Sequence, residues 1–205
     1  MEDRKNLKSK VLWLFLLLIV FVLVLVFLQK SIDTRAYSNK NLGDFKDFSL
    51  ADLIFRQGIG YDSLVIQELS QSKYSHLGLI ISTDPVLILH ATTDDDPLKS
   101  DQVLVSSLED FLSLSKSIAL KRYDLSDEQK KLIVKKALQK EGEKFVLRAD
   151  GFYCTSLIEQ AFEDIYTLKL NKTKLDIPFL SGEYLLPKSL FEDEKSLLIL
   201  ERTFN

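Results

Sequence analysis

Cysteine and histidine are the scarce residues of this chain: one Cys, at 154, and two His, at 76 and 90, in 205 residues. A single thiol excludes an intramolecular disulfide, so cysteine usage says nothing of the redox compartment. There is no Cys-x-x-Cys and no His-x-x-x-His spacing, the usual signs of a zinc site, so no metal and no other cofactor is expected. The acidic run Asp94-Asp95-Asp96 lacks EF-hand spacing and reads as a solvated loop. A basic block is missing too. Of 27 Lys and Arg and 30 Asp and Glu, the first ten residues hold Arg4, Lys5, Lys8 and Lys10 with Glu2 and Asp3. The remainder therefore carries 23 basic and 28 acidic side chains, a balance of −5. Nucleic-acid binding is excluded on that balance. The chain also lacks internal repeats, low-complexity tracts and any signal of an oligomeric state.

What it does have begins with an apolar run. Val11 to Leu28 contains 18 residues without a charge. At about 1.5 Å per residue that is about 27 Å of helix, close to the roughly 30 Å of a bilayer core. The run is longer than a secretory h-region and exits into Gln29-Lys30-Ser31-Ile32-Asp33 without an early small-x-small site. An uncleaved single-pass transmembrane helix is expected over 11–28, after a cytoplasmic tail of residues 1–10. Arg4, Lys5, Lys8 and Lys10 precede the run, and Lys30, Arg35 and Lys40 follow it. This bias puts the following domain on the periplasmic or extracellular side of the cell membrane. Residues 29–47 are polar and read as a linker, leaving a domain over 48–205.

Within that domain, apolar runs bounded by turn residues predict strands at 51–56, 76–82, 86–92, 102–105, 117–123 and 196–201. Helices are expected over 63–70, from Ser107, from the capping box Ser126-Asp127-Glu128-Gln129 to Gly142, and from Cys154 to about Tyr166. The mixture lacks βαβ regularity, so the fold class is α+β around a mostly antiparallel sheet.

Cys154, Leu157, Ile158, Ala161, Phe162 and Ile165 fall on one helical face, with the thiol first. A free cysteine on such a stripe is also an ordinary small core residue. Its position in the first turn argues for chemistry, because unpaired N–H groups and the helix dipole lower a thiol pKa there. The histidines lie on neighbouring strands. In an antiparallel pair the opposed residue numbers have a constant sum, and an even sum puts His76 and His90 on one face. Pairing Ile80 with Val86 would set the two rings directly opposite; an odd sum would separate them through the sheet.

These residues carry a resemblance. Ala51-Asp52-Leu53-Ile54-Phe55, Ser75-His76-Leu77-Gly78-Leu79, Leu87-Ile88-Leu89-His90-Ala91 and Tyr153-Cys154-Thr155-Ser156-Leu157, in that order, resemble the circularly permuted NlpC/P60 hydrolases, a papain-like fold, and within them the YiiX/YebB-like group. The likeness covers about residues 45–200 and has His before Cys, the permuted order. It implies Cys154 as nucleophile, His76 as its base and His90 as the residue orienting that base. It implies substrate contacts at Ser75, Tyr153 and Thr155. The chain departs from the family at Ser156, where Glu is usual, and at Phe145-Val146, where Tyr-Asp is common. The activity implied is amide hydrolysis through a thioester, on peptidoglycan stem peptides. Two alternatives remain: a lipid amide or ester hydrolase or acyltransferase, and an inert membrane-tethered binding module.

Overall fold

The computed structural model describes residues 13, 15–22, 40, 42, 43, 45–93, 95, 96, 98–178 and 180–204. Contacts divide the chain into two units, Met1–Asn39 and Lys40–Asn205. In the first, residues 15–22 are helical with exposed apolar side chains. The rest of the expected 11–28 span, apart from Trp13, lies outside the described residues, as do the 1–10 tail and residues 29–39. Among the described residues no helix is long and apolar enough to cross a membrane.

The second unit starts earlier than the expected 48. Leu42 is buried, Phe45 and Phe48 pack edge to face, and the Lys40 ammonium donates to the carbonyls of Ser113 and Ser115. Its strands are β1 (Leu53–Gly58), β2 (His76–Thr83), β3 (Val86–Thr92), β4 (Gln102–Ser107), β5 (Ser115–Tyr123), β6 (Thr173–Ile177), β7 (Leu180–Tyr184) and β8 (Ser196–Thr203). The helices are α1 (Tyr61–Ser70), α2 (Leu108–Ser113), α3 (Asp127–Leu138), α4 (Cys154–Phe162) and α5 (Pro187–Phe191). Six strands form an antiparallel sheet in the order β4-β3-β2-β1-β5-β8, and β6 and β7 form a separate hairpin. The α+β class and the mostly antiparallel sheet are as the sequence predicts.

Alternation along the strands sorts side chains onto two faces. Leu53, Phe55, Leu77, Leu79 and Leu89 face α3 and α4, where Ile133, Leu157, Ile158 and Phe162 complete one core. Ile54, Ile80, Ile88, Ile118 and Leu120 face the other way, against Phe111 and Leu112 of α2 and against Leu42. Helix boundaries follow local chemistry. Ser126 and Gln129 close the expected capping box at α3. Helix α4 stops at Phe162, short of Tyr166, because Glu163 is extended and Asp164 is left-handed at φ 64°.

The β2–β3 hairpin decides where the histidines go. Opposed residue numbers sum to 169 at the turn, where Thr83 faces Val86, and to 168 beyond it, where Ile80 faces Ile88 and Leu79 faces Leu89. The change comes from a bulge at Ile81, one extra residue on β2. Without it this turn would carry an odd sum throughout and send the rings to opposite faces. The sum is even, but it is not the 166 of the direct pairing. Extending the register sets His90 across from Gly78, with His76 diagonal to it. Gly78 is what makes the diagonal reach possible. A Cβ there would stand 2.4 Å from Ile88 Cγ2 and 3.1 Å from His90 Cβ. Gly78→Ala is expected to cost about 1–3 kcal/mol by overpacking, read as a lower urea midpoint, with loss of contact between the two imidazole rings in a crystal structure. An unchanged midpoint and ring geometry would contradict this account.

Candidate active site

Arg56 and His76 are register partners at the adjoining ends of β1 and β2. From His76 a chain of hydrogen bonds runs inward. His76 Nε2 lies 2.9 Å from His90 Nδ1, and His90 Nε2 lies 2.8 Å from Ser106 Oγ on β4. Phe111 closes the two rings in, with centroids 6.0 Å from His76 and 5.3 Å from His90. His90 is fully buried and His76 is 8% exposed. With Nε2 engaged, Nδ1 is the nitrogen left to His76 for chemistry. It is basic in one arrangement only: His76 Nε2–H donates to His90 Nδ1, and His90 Nε2–H donates to Ser106.

Cys154 is the first residue of α4, which packs on the face of the sheet that carries Leu77, Leu79 and Leu89. Backbone N–H groups of Leu77 and Thr155, and its own, lie against the sulfur and favour the thiolate. Leu77 directly follows His76, so the thiol sits at the same end of β2 as the imidazole. Both line one cavity of about 140 Å³. Its remaining wall includes Arg56, Ile66, Phe145, Leu147, Leu185 and Pro187. Among the described residues no hydrogen bond joins the thiol to either ring; the thiol and His76 line the same cavity, and His90 lies outside its lining. A larger open hollow of about 760 Å³, between Leu69 and Lys195, contains none of the three residues.

The start of α4 is held by its neighbours. Ser156 Oγ accepts from the Tyr153 N–H at 2.6 Å, so this short hydroxyl makes the reach-back bond that a glutamate at N3 makes in a capping box. Tyr153 Oη accepts from the Leu185 N–H at 3.0 Å, and the Thr155 hydroxyl donates to the Leu185 carbonyl. Together they hold both backbone polar groups of Leu185 against the start of α4. Of the three expected substrate contacts, Tyr153 and Ser75 line the cavity, while Thr155 is fully buried and turned to Leu185. Ser75 Oγ is engaged as well, accepting from the Gly58 N–H at 3.1 Å.

Sequence reasoning missed the charges. Asp95 is no solvated loop residue: its side chain is 7% exposed, and the Arg56 guanidinium donates to both its oxygens at 2.6 and 2.7 Å. Thr92 donates to it at 2.7 Å, and His90 Nδ1 is 3.7 Å away. Asp94 lies outside the described residues. The missed signal was an arginine closing the apolar run Leu53-Ile54-Phe55 of a predicted strand, because a buried guanidinium requires a buried partner.

These surroundings set the protonation states. Burial is the largest influence on the thiol and pushes it up to about 11, against the opposing pull of the amides and Arg56. Burial and then the Arg56 charge hold His76 well below its ordinary 6.5. Burial takes His90 down to about 4, although Asp95 pulls it up. Burial pushes Asp95 up, but the charge and hydrogen bonds of Arg56, together with the two imidazoles, hold it below the usual carboxylate range. The resting pair is therefore a neutral thiol and a neutral imidazole, and not the low-pKa thiol expected from a helix start.

No family model and no curated protein matches this chain. Solved structures similar to it include the metalloprotein yiiX of Escherichia coli O157:H7, with a TM-score of 0.65 over 76% of this chain and 98% of that one, at 17% identity. The fold is yiiX-like. At that identity the likeness concerns architecture alone, and the yiiX-like sheet with its flanking helices is the scaffold on which the chain places its own thiol and imidazoles.

Two outcomes follow from the neutral resting state. Alkylation of Cys154 by iodoacetamide without substrate should be slow at pH 7 and climb past pH 9 toward a midpoint near 11; a plateau reached below pH 7 would contradict it. The unfolded chain also binds more protons than the folded one once the pH drops below the ordinary histidine value. Stability is thus intact above pH 6.5 and falls toward pH 4 as His90 resists protonation. The slope is about 1.4 kcal/mol per pH unit for each resisting ring, and urea titrations should show it flattened in a His76→Gln, His90→Gln double variant.

Proposed function

We propose that this protein is a cysteine hydrolase of the permuted papain-like kind, with Cys154 as nucleophile, His76 as general base and His90 as the residue that holds it. The single observation that carries the reading is the shared cavity, lined by a thiol at a helix start and by an imidazole whose Nε2 is tied to His90 at 2.9 Å. His76 Nδ1 would take the thiol proton as sulfur attacks a carbonyl, and then return it to the leaving group. A thioester forms, and water resolves it. The amides at the start of α4 supply donors for the developing oxyanion. Attack and proton transfer are coupled here, because no standing thiolate precedes them.

The substrate class the resemblance supports is the amide bond of peptidoglycan stem peptides. The apolar wall of Ile66, Phe145, Leu147, Leu185 and Pro187 favours a second reading, an amide or ester with a hydrocarbon acyl group. The expected 11–28 span would tether the domain to the cell membrane with its cavity on the periplasmic or extracellular side, where either substrate is at hand. An inert binding module is the reading opposed to both.

The neighbour yiiX is described as a metalloprotein, and His76, His90 and Asp95 bring three candidate ligand atoms within 4.8 Å. The donor set does not fit a cation. Two of the ring nitrogens already bond each other, both Asp95 oxygens are taken, and a guanidinium stands where the ion's charge would be. No step of the reaction is routed through a metal.

The purified full chain should release fragments from sacculi or free acid from an N-acyl lipid amide, identified by mass spectrometry. Cys154→Ala and His76→Ala should each lower the active reaction by at least about 100-fold. Turnover that survives Cys154→Ala, or no product from either substrate class, would sink the enzyme reading; which substrate reacts decides between the two enzymes.

A further inference from the structure

The buried Arg56–Asp95 pair, of which Arg56 lines the cavity and Asp95 does not, takes no part in the mechanism above. We infer that Asp95 is a positioning residue, the counter-ion for an imidazolium that forms on His90 instead of His76, with Arg56 and Thr92 fixing it in place. The inference rests on the cysteine-hydrolase reading and deepens it.

The two charges of the pair face different neighbours. Arg56 reaches the cavity that holds Cys154, whereas Asp95 sits behind it, 3.7 Å from His90 Nδ1 and held on three hydrogen bonds. The pair is neutral as a whole but acts as a dipole, positive toward the sulfur and negative toward His90. The groups packed around His90 are His76 from β2, Arg56 from β1, Ser106 from β4, Phe111 from α2 and Asp95 from the loop after β3. Asp95 is the one anion among these described neighbours. Asp95 stands 3.7 Å from His90 Nδ1, whereas the register partner of His76 is the cationic Arg56, which also lines the cavity. A positive charge is therefore better placed on His90, one ring further from the cavity.

The step balances with the groups present. The S–H bond of Cys154 breaks and an N–H bond forms at His76 Nδ1. In concert the His76 Nε2–H bond breaks and an N–H bond forms at His90 Nδ1. Sulfur gains the electron pair and bonds the substrate carbonyl. His76 ends neutral, accepting at Nε2 from His90, which carries the charge and donates from Nε2 to Ser106 Oγ. Asp95 stays ionised throughout. When the leaving group departs, His76 Nδ1 gives up its proton and the Nε2 proton returns.

The test uses the full chain and p-nitrophenyl acetate, with the acylation rate followed across mixtures of H₂O and D₂O. Two protons in flight make the wild-type rate curve downward with deuterium fraction. Asp95→Asn should acylate about 10–100-fold more slowly, with a linear dependence because the second transfer is lost. Asp95→Asn leaves a buried guanidinium unpaired, so Arg56→Gln, Asp95→Asn removes both charges together. That double variant should unfold near the wild-type temperature and remain slow and linear. A linear dependence in the wild type, or a rate within twofold of it in the double variant, would overturn the inference. If Cys154→Ala hydrolyses the ester as fast as wild type, the hydrolase reading falls and this one with it. Cys154-dependent hydrolysis that ignores Asp95 removes only the relay.

Discussion

The hydrogen bond between His76 and His90 is the contact on which the site depends, and it is a constraint on the whole hairpin. Two rings on adjacent strands meet only if the register is even, if nothing stands between them, and if the face they share is closed by something other than water. Ile81 supplies the first condition through its bulge, Gly78 the second by lacking a Cβ, and Phe111 the third. A bulge beside a functional group is a common means of re-aiming side chains. Here it shifts the register from odd to even and so brings both imidazoles onto one face.

Burial dominates the electrostatics. A helix N-terminus stabilises a negative charge by about 0.3–1 kcal/mol, rising to about 2 in favourable sites. The thiol nevertheless moves from 9.0 up to about 11, a net cost to the thiolate on the order of 3 kcal/mol. Desolvation therefore exceeds the dipole, the nearby amides and the Arg56 charge combined. The same burial keeps both imidazoles neutral. The resting site thus holds an uncharged pair, and under the proposed reaction the charged one would form only as substrate enters. The Arg56–Asp95 ion pair would already be in place, with no reorganisation needed at that moment.

Much of this arrangement is legible in the residues. The stripe from Cys154 to Phe162, the Ser126–Gln129 box and the strands around His76 and His90 follow from periodicity and capping, and the parity rule identifies register as the deciding variable. Other features are tertiary. The bulge at Ile81 has no marker in the run Leu79-Ile80-Ile81-Ser82. Asp95 reads as one of three solvated acids because its partner Arg56 is 39 positions away. The β6–β7 hairpin is hidden because its strands are mostly exposed and show little hydrophobic alternation, with Leu175 and Tyr184 the buried side chains. Helix α4 is shorter than its stripe, since Ile165 packs from a turn that follows the left-handed Asp164.

The central claim is that His76 presents a basic Nδ1 to the cavity because His90 accepts its Nε2 proton. Long-range ¹H–¹⁵N correlation spectra of the uniformly labelled chain at pH 7 read the tautomer of each ring directly. The account predicts two neutral rings, both protonated at Nε2. A neutral His76 protonated at Nδ1, or an imidazolium at either position in the resting protein, would contradict it.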